Sequence, residues 1–143
     1  MTKDTGVAIH SDALHGKRVL LAIAGGIAAV ESVKLARELR RHQADLTVIM
    51  SEEATKIITP LAVSWGSDTV VNQGWSSEMS QLDAFDVILI APATRNTISK
   101  HLHGIMDSPV LMALSASRGR KSKLCFVPSM HTDLFDDPVT SEL

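Results

Sequence analysis

Residues 18–29 read RVLLAIAGGIAA, and the way this stretch folds dictates how the rest of the chain can be arranged. After Arg18 the run to Ala24 is apolar without a break. A strand with one wet face alternates apolar and polar residues. A strand apolar on both faces belongs inside a parallel sheet with a layer packed on each side. Gly25-Gly26 ends the run. Beyond it, from Ile27 to His42, Val30, Val33, Ala36 and Leu39 recur every three residues, with Arg37, Glu38, Arg40 and Arg41 between them. That pattern is a helix with one buried stripe and one wet face.

The alternation continues outward. Leu46–Met50 reads as a second strand, and Ser51-Glu52-Glu53 as a helix start, a hydroxyl cap followed by acids in the first turn. Thr59-Pro60 is another helix start, with proline at the first helical position. Thr69–Val71 is a short, weak strand. Asp86–Ile90 is a clear one, running through Ala91-Pro92-Ala93-Thr94 into a helix over Arg95–Met106. A further helix is expected over Pro109–Ser117, and a last strand over Lys123–Val127, ended by Pro128. Cys125 lies in that last apolar run and is expected to be a small buried residue. Strands alternating with helices imply right-handed crossovers. The expected fold is α/β, a three-layer sandwich around a doubly wound parallel sheet, flavodoxin-like or Rossmann-like. Residues 1–16 read as a polar N-terminal tail and residues 17–143 as one domain.

Composition excludes several classes. The 143 residues are 45% hydrophobic and 21% charged, with a net charge of −2. Acids and bases are interspersed, so no basic field exists to attract nucleic acid. Two Trp, three Phe and no Tyr leave little for base stacking. One cysteine rules out an internal disulfide and a cysteine-based zinc site, and points to a reducing, cytoplasmic location. No window approaches the roughly 20 apolar residues of a membrane span, and the N-terminus lacks the apolar core of a signal peptide. His101 and His103, two apart on a helix, point to different faces and cannot chelate one ion together.

In a parallel sheet of this kind, ligands bind beyond the carboxyl ends of the strands. The first strand ends at Gly25-Gly26-Ile27, where two glycines let backbone approach a ligand and the next helix offers free N–H groups, a natural seat for a phosphate. A plain glycine turn would leave the same trace. The pattern lacks the third glycine of the dinucleotide fingerprint, which places NAD behind a mononucleotide. The second strand ends at Ser51, able to donate to a phosphate or simply to cap its helix. The strand before Pro92 ends in Ala93, Thr94, Asn96 and Thr97, small residues and hydrogen-bonding groups suited to a planar heterocycle.

Taken together, Gly25–Ala29, Met50–Ala54, Ala91-Pro92-Ala93-Thr94-Arg95-Asn96-Thr97-Ile98-Ser99-Lys100 and Gly104-Ile105-Met106-Asp107 resemble the homo-oligomeric flavin-containing cysteine decarboxylase superfamily of phosphopantothenoylcysteine decarboxylase-like flavoproteins. The resemblance covers residues 17–143. It implies FMN, with phosphate near Gly25-Gly26 and ring near Pro92–Thr97, and a small-molecule or peptide substrate met by Asn96 and Met130. It also implies a homotrimer, or an assembly of trimers, with the flavin where two copies meet.

The chain departs from that family's pattern at identifiable places. Counting eight residues back from Asp86, the family's histidine position holds Glu78, and no histidine lies between His42 and His101. In the stretch after the last strand, His131 stands where the family has asparagine, and Leu134-Phe135 where it has Met-Trp. Glu78 and His131 are therefore the candidates for acid–base work. Asp107-Ser108-Pro109-Val110-Leu111-Met112-Ala113 is closer to the flavoprotein component of dipicolinate synthase. Family members also continue past the position of Leu143 with a strand and a flap over the substrate. Three functions stay open at this point: a flavin-dependent decarboxylase of a cysteine-containing acid, a different FMN-dependent oxidoreductase or synthase subunit, and a non-catalytic FMN-binding regulatory subunit.

Overall fold

The first strand, Arg18–Ile23 (β1), sends alternate side chains to opposite faces of a sheet, and both faces are packed. In the computed structural model, which describes residues 5–143, β1 is followed by α1 (Ser32–Arg41), β2 (Asp45–Met50), α2 (Pro60–Ser67), β3 (Asn72–Gln73), β4 (Val87–Ala93), α3 (Arg95–Leu102), α4 (Pro109–Gly119), β5 (Lys123–Pro128), α5 (Thr132–Asp136) and α6 (Pro138–Ser141). The five strands form one sheet in the order β3-β2-β1-β4-β5, all parallel, with Leu20 opposite Thr47 on one side and Ile88 on the other. Helices cover both faces, the doubly wound α/β architecture expected.

The run that reads as continuous in sequence divides by parity. Val19, Leu21 and Ile23 join Val48 and Met50 under Ala36 of α1 and Val63 of α2. Leu20 and Ala22 join Ile49, Ile88 and Ile90 under Val110, Leu111, Ala113 and Leu114 of α4. Helices α1 and α2 touch at Gly66, where a methyl group would lie 2.8 Å from the Val33 carbonyl oxygen; only glycine lets the two backbones approach so closely. Residues 10–14 lie against the end of α1, with the His10 N–H donating to Arg41 O at 2.8 Å and the Leu14 N–H to His42 O at 2.9 Å, while the Thr5 hydroxyl donates to Asp68 at the end of α2.

Several expectations are corrected. The weak strand is not Thr69–Val71 but Asn72–Gln73, paired with Ile49 and Met50. Asp68 closes α2 in the left-handed conformation (φ 52°), Val70 faces outward at 83% exposure, and only Val71 enters the core. Two adjacent valines thus part company before the chain reaches the sheet edge. The helix expected from Ile27 opens as a 3-10 turn, Ile27–Glu31, before α1. The start read at Ser51 yields only a 3-10 turn, Ala54–Lys56. Helix α3 stops at Leu102, with Gly104 at φ +72° beyond it, short of Met106. Cys125 is exposed rather than buried. β5 is the outer strand, and only its Leu124–Phe126 face meets a packed layer, leaving Cys125 and Val127 on the open one.

Candidate functional site

Strand order reverses between β1 and β4, which leave to opposite halves of the sheet. At such a switch point the connections diverge and a crevice opens beyond the strand ends. Here the Ala24 N–H donates to Pro92 O at 3.2 Å and ties the two ends together. The two glycines of the turn have different duties. A methyl on Gly25 would fall 2.4 Å from Cβ of Glu53, so glycine is required there by packing within the protein. A methyl on Gly26 would rest 3.6 Å from Pro92 Cγ and 3.7 Å from Thr94 Cγ2, ordinary contact, on backbone (φ −99°, ψ 157°) that any residue adopts.

Three chain turns present N–H groups to this crevice. In the turn after Gly26 the first internal bond runs from the Ala29 N–H to Gly26 O, which leaves Ile27 and Ala28 N–H without a partner in that turn. After β2, Ser51 Oγ accepts from the Ala54 N–H at 3.1 Å, leaving the Glu52 and Glu53 N–H groups ahead of it. After β4, Thr94 caps α3: its Oγ1 accepts from the Thr97 N–H at 3.2 Å and its hydroxyl lies 2.8 Å from that of Thr97. The Ile98 N–H returns to Thr94 O, so those of Arg95 and Asn96 are the free ones. Donors and hydroxyls from three separate strand ends therefore converge, a set suited to a phosphate and a polar heterocycle.

Two cavities flank Thr94 and Asn96. The first, about 530 Å³, is walled by Gly25, Ser51, Glu52, Glu53, Thr94, Asn96 and Thr97, with Trp75, Lys100, Asp107 and Ser108 opposite. The second, about 660 Å³, is walled by Gly25, Gly26, Ile27, Thr94, Arg95, Asn96, Ser99, Ser129, Met130, His131 and Leu134. Both are of the size that takes a small molecule, about 300–1,000 Å³. In the first, Lys100 pairs with Asp107 at 2.7 Å, and Ser108 Oγ accepts from the Leu111 N–H at 3.2 Å to start α4. In the second, Arg95 pairs with Asp137. The Arg95 guanidinium, aided by the Val139 N–H, holds the Asp137 carboxyl below the usual carboxylate range.

The crevice gathers most of the residues singled out in sequence. Gly25, Thr94 and Asn96 line both cavities, Ser51 and Thr97 the first, and Gly26, Ile27, Met130 and His131 the second. Pro92 and Ala93 line neither; they are buried beneath the glycine turn and support it. Glu78 also lines neither and is exposed on the loop after β3. His131 is exposed and caps α5, its Nδ1 accepting from the Asp133 N–H at 3.1 Å. His101 is buried against Phe126, ring centroids 5.5 Å apart, and its burial, with Arg118 nearby, pushes its pKa down; His103 faces solvent. Sequence reading missed Trp75, Ser129 and the part played by Arg95. For Trp75 the available cue was Gly74-Trp75 directly after the β3 strand end, with Gly74 at φ +65° turning the chain back over the crevice.

A parallel sheet with a donor-rich crevice at its switch point defines a nucleotide-cofactor-binding α/β protein. The chain belongs to the flavoprotein family, whose profile matches residues 7–143. The coenzyme A biosynthesis bifunctional protein CoaBC of Thermococcus kodakarensis is 42% identical over 142 residues, a match covering 94% of this chain and 35% of that protein. The chain spans about a third of the length of the curated relatives it matches. Among solved structures, the FMN-dependent cysteine decarboxylase SpaF superposes with a TM-score of 0.80 at 22% identity, covering 91% of this chain and 78% of its own. A PPC decarboxylase mutant complexed with pantothenoylaminoethenethiol superposes with a TM-score of 0.74 at 21% identity, covering 88% and 74%. At these identities the two structures establish the fold.

Proposed function

We propose that this chain binds FMN across the crevice between β1 and β4 and serves as a decarboxylase of a cysteine-containing acid. One observation carries the reading: in a flavoprotein-family chain, Gly25, Ser51, Thr94, Asn96 and Thr97, drawn from three strand ends, wall a single cavity. The phosphate sits at the glycine turn beside Gly25, which lines both cavities, and against Ser51 in the first, and Asn96, Thr94 and Thr97 address the carbonyls and nitrogens of the ring. The names borne by the relatives, a coenzyme A biosynthesis protein and cysteine decarboxylases, point the same way.

A bound flavin supplies the two-electron oxidation of a thiol and its reversal. The chain's residues do the rest. Asn96 belongs to both cavities, so its amide can hold a cofactor edge and a substrate group together. Ile27, Met130 and Leu134 give the second cavity an apolar wall for the end of a small molecule or peptide. Because Nδ1 of His131 accepts from Asp133, the neutral ring carries its proton on Nε2, the atom able to exchange a proton with substrate. Glu78 has no such place within its own chain. In the homotrimer we propose, its exposed loop is free to approach a neighbouring copy's crevice. A cytoplasmic setting, where thiol substrates stay reduced, fits this chemistry.

The test is spectroscopic, then chemical. The protein purified without added cofactor and desalted should absorb near about 375 and 450 nm, the signature of the oxidised flavin on which the chemistry depends. It should also release carbon dioxide from a cysteine-terminated acid. Colourless protein that FMN fails to colour on reconstitution removes the cofactor assignment. Coloured protein that releases no carbon dioxide but is bleached by NAD(P)H moves the activity to an oxidoreductase.

A further inference from the structure

The two cavities differ in charge. The first holds Glu52, Glu53 and Asp107 against Lys100. Among the described residues the second holds one formal cation, Arg95, and no carboxylate in its wall, together with the hydroxyls of Ser99 and Ser129. Arg95 is held from one side only. Its Nη1 donates to Asp137 and, at 3.2 Å, to Thr140 Oγ1. Nε and Nη2 enter no hydrogen bond among the described residues. A guanidinium has five N–H donors in a rigid plane, so anchoring one nitrogen fixes the plane and leaves the Nε–Nη2 edge to be matched. Asp137 lies on α6's side of the pair, outside the cavity wall.

From this geometry we infer that the second cavity is an oxyanion site, with Arg95 as its receptor and Asp137 and Thr140 as the residues that position it. The inference rests on the proposed function, because it assigns the substrate an anionic group: a carboxylate or a phosphate, either of which fits the free edge by two parallel N–H···O bonds. Ser99 and Ser129 supply further donors around it. Neutralisation of Arg95 by Asp137 is what makes the site selective for a group that can use the fork. A diffuse positive charge would take any anion, whereas here the net charge of the pair is small and geometry does the choosing.

The experiment follows the side-chain Nε–H resonance of Arg95 in the wild-type protein, with whatever flavin it carries, while inorganic phosphate or acetate replaces chloride at constant ionic strength. A saturable shift is expected. Response to phosphate alone assigns a phosphate-bearing substrate, and response to acetate as well assigns a carboxylate. Arg95→Met should weaken phosphate binding, followed by calorimetry, at least about tenfold. Arg95→Lys, followed by the same calorimetry, should bind phosphate more weakly and no longer in preference to chloride, since an ammonium is a point charge. A wild-type Arg95 resonance that does not move, or an R95M protein that binds phosphate as tightly as wild type, overturns the inference. The wild-type resonance needs no variant, so a misfolded R95M protein does not block the test. Flavin absorbance of the same sample keeps the two claims apart: coloured protein with a silent Arg95 sinks this inference alone, and colourless protein with a responding Arg95 sinks the cofactor reading alone.

Discussion

Gly25 and Gly26 sit side by side on the same turn, yet their hydrogens face different neighbours. At Gly25 an added methyl meets the root of the Glu53 side chain at 2.4 Å and the Glu53 carbonyl carbon at 3.1 Å. Neither can swing away as a side-chain tip could. Gly25→Ala should therefore cost about 1–3 kcal/mol of stability, as overpacking of a tight site does, with the turn at 52–54 displaced from β1. Gly26→Ala meets only ordinary contacts and should melt close to wild type, while Gly26→Leu, reaching past Pro92 and Thr94, should leave the fold intact and cut flavin affinity. Urea denaturation of the three variants with FMN titration of each checks both halves. Equal losses of stability at the two glycines would refute the division of roles. Sequence alone marked both residues as ligand contacts, because two glycines after a strand signal close approach without saying to what. The same limit applies at Ser51, whose hydroxyl serves as a cap and a cavity wall at once, and at Pro92 and Ala93, which lie inside the motif but under the floor.

At the scale of elements, the C-terminal pair α5 and α6 buries no residue. Among the described residues its side-chain tie to the rest of the fold is the Arg95 guanidinium on Asp137 and Thr140. The sign of the pH effect follows from the pair. The folded carboxyl of Asp137 titrates below its usual range, chiefly because of Arg95, so its contribution is present above that range and fades as pH falls through the lowered value. Protection of the Val139 and Thr140 amides, each exchange rate taken relative to its intrinsic value at the same pH, should be greatest near neutrality and fall below the usual carboxylate range, and Arg95→Met should remove that pH dependence. Protection that ignores both acid and the substitution would show that something else holds the pair. This tie was invisible in sequence, since 42 residues separate Arg95 from Asp137 and neither position is periodic with anything. By contrast β1, β2 and β4 were legible, because a run apolar on both faces has only one home, between two layers. β3 is misplaced because two residues of edge strand carry almost no pattern, and β5 reads correctly as a strand while Cys125 within it reads wrongly as buried, since apolar composition does not reveal where a sheet ends.

For the molecule as a whole, the strand order β3-β2-β1-β4-β5 sets where chemistry can occur. Reversal at β1 brings Gly25 and Thr94, 69 positions apart in the chain, onto one crevice, and the two cavities share that wall. The proposed site therefore lies at one end of the sheet, while its opposite end, where Arg18 meets Asp45 and Asp83, is occupied by exposed ion pairs that contribute little energy. The same order leaves β5 at the rim with one face bare, and there the chain places its single thiol. One equivalent of a chromogenic thiol reagent should react with the native protein without denaturant. A dye or spin label attached at Cys125 then becomes a built-in reporter, requiring no engineered cysteine and no removal of others. Because Cys125 shares its strand with Phe126 and leads to Ser129 and Met130 on the second cavity, such a label would sense ligands arriving there. If copies of the chain assemble through the bare face of the sheet, labelling will slow as protein concentration rises, so a single kinetic trace reads out self-association.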